Sequence, residues 1–419
     1  MKKFIMILLA AVLILGGCTA QGVNPDSSAV KAESHLAALA QQPIEPLSSR
    51  FVSAINGFGL DAAKLLYNTE KNLALSPASI ELALCMTRTG ASGETADDMA
   101  KTLGISGLND SEIIDACRSL MWRANTDGME AANAIWLTDA YTFSDGFVDT
   151  CTGDFFADAY PLVIPGAKDA INAWADEKTH GRIKNILTQE PPPDTPIVLA
   201  NALYYLGDWE MPFDANDTWD DAFAAPSGDV TTAFMHSGWS VPYYKNDDFS
   251  MITLNFKSDE GEGKYAMAFF LPAEGSDVND MLEGMNDDAF SQALESAEEQ
   301  EVWIKLPKFE FSYFAELKDT LAAMGMQKAL DPVAADFSAM TNEENGIYID
   351  EVLHKCYIRV DELGAEAAAV TEVAACEGEA PLEEDPPKFY ADRPFVFAIY
   401  SQEDGTIAFL GAVNDPTKE

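Results

Sequence analysis

Positive charge is scarce in this sequence. Against 69 Asp and Glu stand only 26 Lys and Arg, which leaves a formal net charge of −43 over 419 residues. A chain this acidic repels nucleic acid and anionic lipid surfaces and steers basic proteins toward itself, so a nucleic-acid binder is excluded as a reading. Histidine is almost missing: His35, His180, His236 and His354 are the whole set. There is no HExxH and no Cys/His cluster, so neither a metal site nor a cofactor is expected. The six cysteines include no CxxC and no paired spacing, which argues against a disulfide framework. There is no GxSxG, and no SxxK stands where it would support catalysis, so a hydrolase lacks its nucleophile motif and no enzyme is expected. Internal repeats are absent, and no low-complexity break divides the chain between residues 47 and 416.

Long hydrophobic runs are also missing, except one at the start. Phe4 to Leu15 follows Lys2 and Lys3. It falls short of the roughly 20 residues a spanning helix needs, and its flanks are those of an export signal. Leu15-Gly16-Gly17-Cys18 resembles the bacterial lipobox, whose small residues admit the peptidase and whose cysteine thiol is acylated. The expectation is a lipoprotein signal over 1–17, lipidation at Cys18, and a flexible tether over 18–46 rich in Ser, Ala, Gln and Pro. The mature body over 47–416 would then be held outside the bacterial membrane by its lipid alone. Without residues 1–17 and their two lysines, the chain carries 24 basic against 69 acidic residues, a net −45.

Within the body, helical periodicity comes first, in "SRFVSAINGFGLDAAKLLYN", "SPASIELALCMTRTGASGETADDMAKTLG", "SEIIDACRSLMWRAN" and "AKDAINAWADEKTHGRIKNIL". "SGET", Ser92 to Thr95, predicts a fresh helix start with Ser92 at the cap. Strand patterns take over in "MEAANAIWLT", "TPIVLANALYYLG", "FSMITLNFK", "KYAMAFFLP", "EVWIKLPKFEFSYF" and "EVLHKCYIRVDE". "FVFAIYSQEDGTIAFLGAVN" closes the series as a hairpin turning at "EDG". Helices followed by strands predict an α+β body with large, mostly antiparallel sheets.

One stretch fits no ordinary assignment: "GAEAAAVTEVAACEGEAP", Gly364 to Pro381. Its residues are too small to fill a core and too apolar for a solvated loop. Taken in steps of two, positions 365, 367, 369, 371, 373 and 375 are Ala, Ala, Ala, Thr, Val and Ala, while Glu366 and Glu372 fall on the other face. One uniformly small face suits a strand in a tight place.

Over about 47–416 the chain resembles the serpins. The likeness rests on blocks in the right order: "NLALSPASIELALCMTRTGASGETADDMAKTLG", "LANALYYLGDWEMPFD", "IKLPKFEFSYFAELKDTLAAMGM", "VLHKCYIRVDELGAEAAAV" and "ADRPFVFAIYSQEDGTIAFLGAV". It implies the serpin fold and the role of a serine protease inhibitor acting as a suicide substrate. Ser76, Ser79, Asn201 and His354 match the family's shutter, where the main sheet opens. Trp209, Lys308 and Glu362 match the breach at the top of that sheet. Gly364, Ala365, Glu366, Ala367, Ala368 and Ala369 match the hinge of the reactive loop. After cleavage the loop would enter the sheet as a new central strand, dragging the acyl-linked protease with it. Small side chains suit that passage, because bulk would overpack and charge would be stranded.

Counting forward from the hinge places the reactive bond at Gly378-Glu379, whereas counting back from "DRPF" places it nearer Glu383. The forward count is preferred, since hinge-to-cut length sets how far the protease is pulled. Ala375, Cys376 and Glu377 are alternative neighbours of the bond. Small residues there would suit an elastase-like or subtilisin-like protease, and a cut after Glu377 or Glu379 a glutamyl-specific one. Five acids between Glu377 and Asp385 point to a basic partner. The resemblance implies a monomer. The alternative reading keeps the fold but drops inhibition, leaving a binding or substrate-like protein whose loop is merely cut.

Overall fold

Ser48 sets the first helix. Its Oγ accepts the Phe51 N–H, and α1 (Ser49–Leu66) then turns Phe51, Val52, Ile55 and Phe58 into the core. The computed structural model describes residues 46–123, 129–205, 207–257, 264–341, 346–365 and 385–418. The signal, Cys18, the tether before Pro46, Glu366 to Ala369 and every proposed reactive-bond position therefore lie outside the described residues. After α1 come β1 (Leu73–Leu75), α2 (Pro77–Arg88), α3 (Gly93–Thr102), α4 (Asp110–Arg123), β2 (Met129–Thr138), α5 (Asp145–Gly153), β3 (Asp158–Leu162) and α6 (Ala167–Lys178). The middle of the chain is mostly strand: β4 (Ile197–Tyr205), β5 (Gly207–Asp208), β6 (Thr218–Ala225), β7 (Gly228–Lys245), β8 (Phe249–Asn255) and β9 (Tyr265–Pro272). Two short helices, α7 (Val278–Gly284) and α8 (Asp287–Glu295), precede β10 (Glu298–Pro307), β11 (Phe309–Glu316) and α9 (Lys318–Met324). The chain closes with β12 (Glu351–Val360), β13 (Gly364–Ala365), β14 (Lys388–Tyr390), β15 (Phe395–Ser401) and β16 (Ile407–Val413).

These strands make two large sheets. One runs β1-β16-β15-β9-β8-β7-β10-β14 with β6 added to β7, and the other runs β11-β12-β4-β2-β3. Most neighbours are antiparallel, but β4 and β12 lie parallel, from Val198 opposite Glu351 to Tyr204 opposite Tyr357. Every residue of β4 is buried, as a strand covered on both faces requires. Ile197, Leu199, Leu203 and Tyr205 face the core shared with the other sheet. Val198, Ala200 and Ala202 lie beneath Ile171, Trp174 and Ala175 of α6.

The α+β architecture matches the expectation from the sequence, with two local departures. The pattern through Leu187 predicts a helix nine residues longer than α6. His180 and Gly181 stop it, with φ of +50° and +84°, which no right-handed helix accepts. The chain instead lays Ile183, Ile186 and Leu187 over the sheet, and Asn172 exchanges two 2.9 Å hydrogen bonds with the Leu187 backbone. Second, "EVWIKLPKFEFSYF" is two strands: β10 and β11 belong to different sheets and part at Lys308. Ser92 does sit at the cap of α3, yet its hydroxyl accepts from Ser338 Oγ at 3.0 Å and does not bond its own helix.

Candidate functional site: the parallel seam and its upper end

Midway along the β4–β12 seam, Asn201 stands directly opposite His354. His354 is fully buried, and its Nε2 accepts the backbone N–H of Ser76 at 3.1 Å. That bond fixes the tautomer: the proton is on Nδ1, which donates to Asn201 Oδ1 at 2.8 Å. The Asn201 amide in turn donates to Asn133 Oδ1 at 2.6 Å and to Ser79 Oγ. Ser76 has two tasks, since its Oγ also caps α2 by accepting the Ser79 N–H at 3.2 Å. Burial pushes the imidazole down to about 3, so the ring is neutral at physiological pH. Ser76, Ser79, Asn201 and His354, separate in sequence, thus form one hydrogen-bonded cluster beneath the seam.

Two members of the cluster escaped the sequence reading. Asn133 pairs with Asn201 across β2 and β4, and Cys356 Sγ lies 3.0 Å from His354 Nε2. Burial pushes the Cys356 thiol well above its ordinary range, so it is an unreactive neutral donor. The available signal was a lone asparagine on the inward face of an otherwise apolar strand, which by itself resembles any satisfied core polar.

At the upper end of the seam, Trp209 is buried and stacked on Phe256, with ring centres 4.6 Å apart. Its Nε1–H donates to the Asp361 carbonyl at 3.0 Å and its backbone N–H to the Leu363 carbonyl at 2.7 Å. The Phe213 N–H reaches the Glu362 carbonyl at 2.8 Å. Lys308 Nζ donates to Glu362 Oε2 at 2.7 Å. Burial alone would raise the Glu362 carboxyl; the Lys308 ammonium, with hydrogen bonds from the backbone N–H of Glu362 itself and from Thr218, outweighs that and holds the group below the usual range. Trp209, Lys308 and Glu362 therefore meet around the segment that leads out of β12.

That segment turns back at once. The Gly364 carbonyl accepts the Asp361 N–H at 3.0 Å, and Gly364 and Ala365 pair antiparallel with Asp208 and Gly207. Gly364 has φ of +152°, and a Cβ there would stand 2.8 Å from Asp208 Cα while colliding with the Gly207 carbonyl. Only glycine fits. The exit from β12 is thus folded onto β5, which follows β4 in sequence and forms a two-stranded sheet with β13.

A family model described as serpin, serine protease inhibitor, matches residues 53–416. The chain belongs to the serpin family. It is 33% identical to an uncharacterized serpin-like protein of Thermococcus kodakarensis, covering 99% of both chains. It is 30% identical to intracellular coagulation inhibitor 2 of Tachypleus tridentatus, over 87% of this chain and 90% of that one. The crystal structure of the thermophilic serpin tengpin in its native state superposes with a TM-score of 0.81 at 27% identity, covering 89% of this chain and 96% of that one. In this serpin the sequence blocks that carry the resemblance fall on β1 to α3, on β4 through Trp209, on β10 to α9, on β12 with β13, and on β15 with β16. The family is described as one of serine protease inhibitors, and the described site joins a neutral histidine to amides, hydroxyls and a thiol.

Proposed function

We propose that this serpin inhibits a serine protease as a suicide substrate, its cut loop entering the β4–β12 seam as a new strand. The observation that carries the reading is the pairing of Gly364–Ala365 with Gly207–Asp208. These two residues pair antiparallel with β5, the segment that follows β4 in sequence, and the proposal extends that register along β4. Each further loop residue advances the partner by one in the opposite direction. Thr371, seven residues beyond Gly364, then falls opposite Asn201, seven residues before Asp208. The hydroxyl of Thr371 would stand where His354 and Asn201 now meet, able to satisfy both once the strands part. In the same register Ala367, Ala369 and Val373 fall opposite Tyr205, Leu203 and Leu199, which face the core, and that is the small face counted in the sequence.

The route matters as much as the register. An intact loop is held at both ends; a cut one extends by roughly 3.3 Å per residue down the sheet. A protease joined to the severed end through its acyl bond is carried the same way, so inhibition is a race between insertion and deacylation. We place the bond at Gly378-Glu379, with Ala375, Cys376 and Glu377 as neighbours to be tested. The target would be an elastase-like, subtilisin-like or glutamyl-specific enzyme, favoured if basic. We further propose display outside a bacterial cell through lipid on Cys18.

Incubation with such proteases, read on a denaturing gel, tests the reading. A covalent band at the summed mass supports it; clean cleavage with no such band supports a substrate or binding protein instead. Mass analysis of the released peptide locates the bond. Loss of lipid labelling in Cys18→Ser, and only there, tests the anchor.

A further inference from the structure

His354 has one donor more than its acceptor can use. As a neutral ring with its proton on Nδ1, it offers a single lone pair, at Nε2. Two groups reach that lone pair: the Ser76 backbone N–H at 3.1 Å and the Cys356 Sγ at 3.0 Å. All three residues are buried, His354 and Cys356 wholly so. Because Nε2 accepts from the Ser76 N–H, it carries no proton of its own, and the contact with sulfur is a thiol donating to the ring.

The two donors belong to different elements. Cys356 stands two residues after His354 on β12, on the same face, so it moves wherever that strand moves. Ser76 caps α2, and α2 is tied to β4: it packs against that strand, and the Asn201 amide donates to both the carbonyl and the hydroxyl of Ser79. A strand entering the seam would move β12 away from β4 by about 4.8 Å, one strand spacing. No hydrogen bond stretches so far, so His354 would lose Asn201 outright and be drawn off Ser76. An acceptor left bare in the core adds its desolvation cost to the opening step.

We propose that Cys356 is a positioning residue for strand insertion: its thiol travels with His354 and keeps Nε2 hydrogen-bonded while the ring leaves Ser76. In the closed seam the thiol is redundant, because Ser76 already serves the lone pair. In the opening seam it is the donor that remains. The inference rests on the proposed insertion and adds to it a residue that sets its rate.

Uptake of a synthetic peptide of residues 365–377 by the intact full chain, followed on a native gel, tests the proposal. Cys356→Ala should take up the peptide about tenfold more slowly than the parent, the effect of one buried hydrogen bond on a rate. Cys356→Ser, which restores a donor, should recover the parent's rate. A merely structural role predicts the reverse for Cys356→Ala, since removing the sulfur loosens the closed seam and speeds uptake. Thermal melts verify that both variants fold. The crystal structure of the parent with the peptide bound needs no variant: Cys356 Sγ should lie within hydrogen-bond reach of Nε2, and the Ser76 nitrogen beyond it. Uptake by Cys356→Ala as fast as the parent's or faster overturns the inference alone, as does Ser76 still bonded to the ring in the complex. A parent that takes up no peptide overturns the insertion reading, and this inference with it.

Discussion

His354 donates its Nδ1–H to Asn201 Oδ1 at 2.8 Å across the seam between two parallel strands. The bond spans the line along which the proposed insertion would open the sheet, and it depends on a neutral ring. Burial holds that ring down to about 3 from the ordinary 6.5. The unfolded chain therefore takes up a proton between these values that the folded one refuses. Stability from this group is complete above about pH 6.5 and falls with acid, by up to about 1.4 kcal/mol per pH unit. Thermal melts between about pH 7.5 and 4.5 should show that loss, and His354→Gln should show a shallower one. Equal slopes would assign the proton uptake elsewhere.

Glu81 gives the opposite slope. It is wholly buried in α2, its Oε1 accepts the Cys85 thiol at 3.6 Å, and burial holds its carboxyl well above the usual range. A carboxyl that stays protonated in the fold but ionises in the unfolded chain costs stability as pH rises past about 4.5. Glu81→Gln should therefore gain on the parent as pH rises, with the two converging in acid. A gap independent of pH would contradict this.

Asn133 and Asn201 share a 2.6 Å hydrogen bond beneath the sheet. Truncating Asn133 to Ala takes one acceptor from the Asn201 amide, and truncating Asn201 leaves the Asn133 carbonyl oxygen without this donor and the His354 Nδ1–H without its acceptor, each at a cost of about 1–3 kcal/mol. The double variant should cost less than the sum, because the orphaned partner is removed as well. Chemical denaturation of the four proteins measures the coupling; strict additivity would mean that the two amides act independently.

These residues show what was legible beforehand. β2 has the bounds its alternation suggests, and the order of the blocks was enough for the fold. Ser76, Ser79, Asn201 and His354 were grouped by resemblance, because four polar residues spread over 279 positions carry no local signal. Asn133 went unseen for the same reason: strand periodicity marks its face, while its partner is set by the β2–β4 register. The overrun of α6 came from reading side-chain spacing alone, whereas His180 and Gly181 end the helix through backbone angle. The two-residue strands β5 and β13 are too short for any periodic pattern. Their pairing depends on the glycine at 364, whose collision with Gly207 appears only in three dimensions.

If the cut loop inserts as proposed, extending the register of Gly364 with Asp208 would bring Ala369 opposite the buried Leu203 and make it a sensitive position. Ala369→Arg would force a charge into core packing and should turn the protein from inhibitor to substrate. Protease titration would then show cleavage in place of the covalent complex. Glu372→Arg, which the same proposed register would bring to the other face opposite Ala200, should inhibit more efficiently than Ala369→Arg. Equal activity of the two variants would refute the register.

The most direct measurement is calorimetric melting of the intact protein beside the same protein nicked once between Ala375 and Glu384. Insertion of the released strand into the β4–β12 seam predicts that the nicked form melts many degrees higher, with the amides from Ala367 to Val373 newly protected from exchange. A nicked form that melts at or below the intact one, with those amides still exchanging freely, would contradict the account.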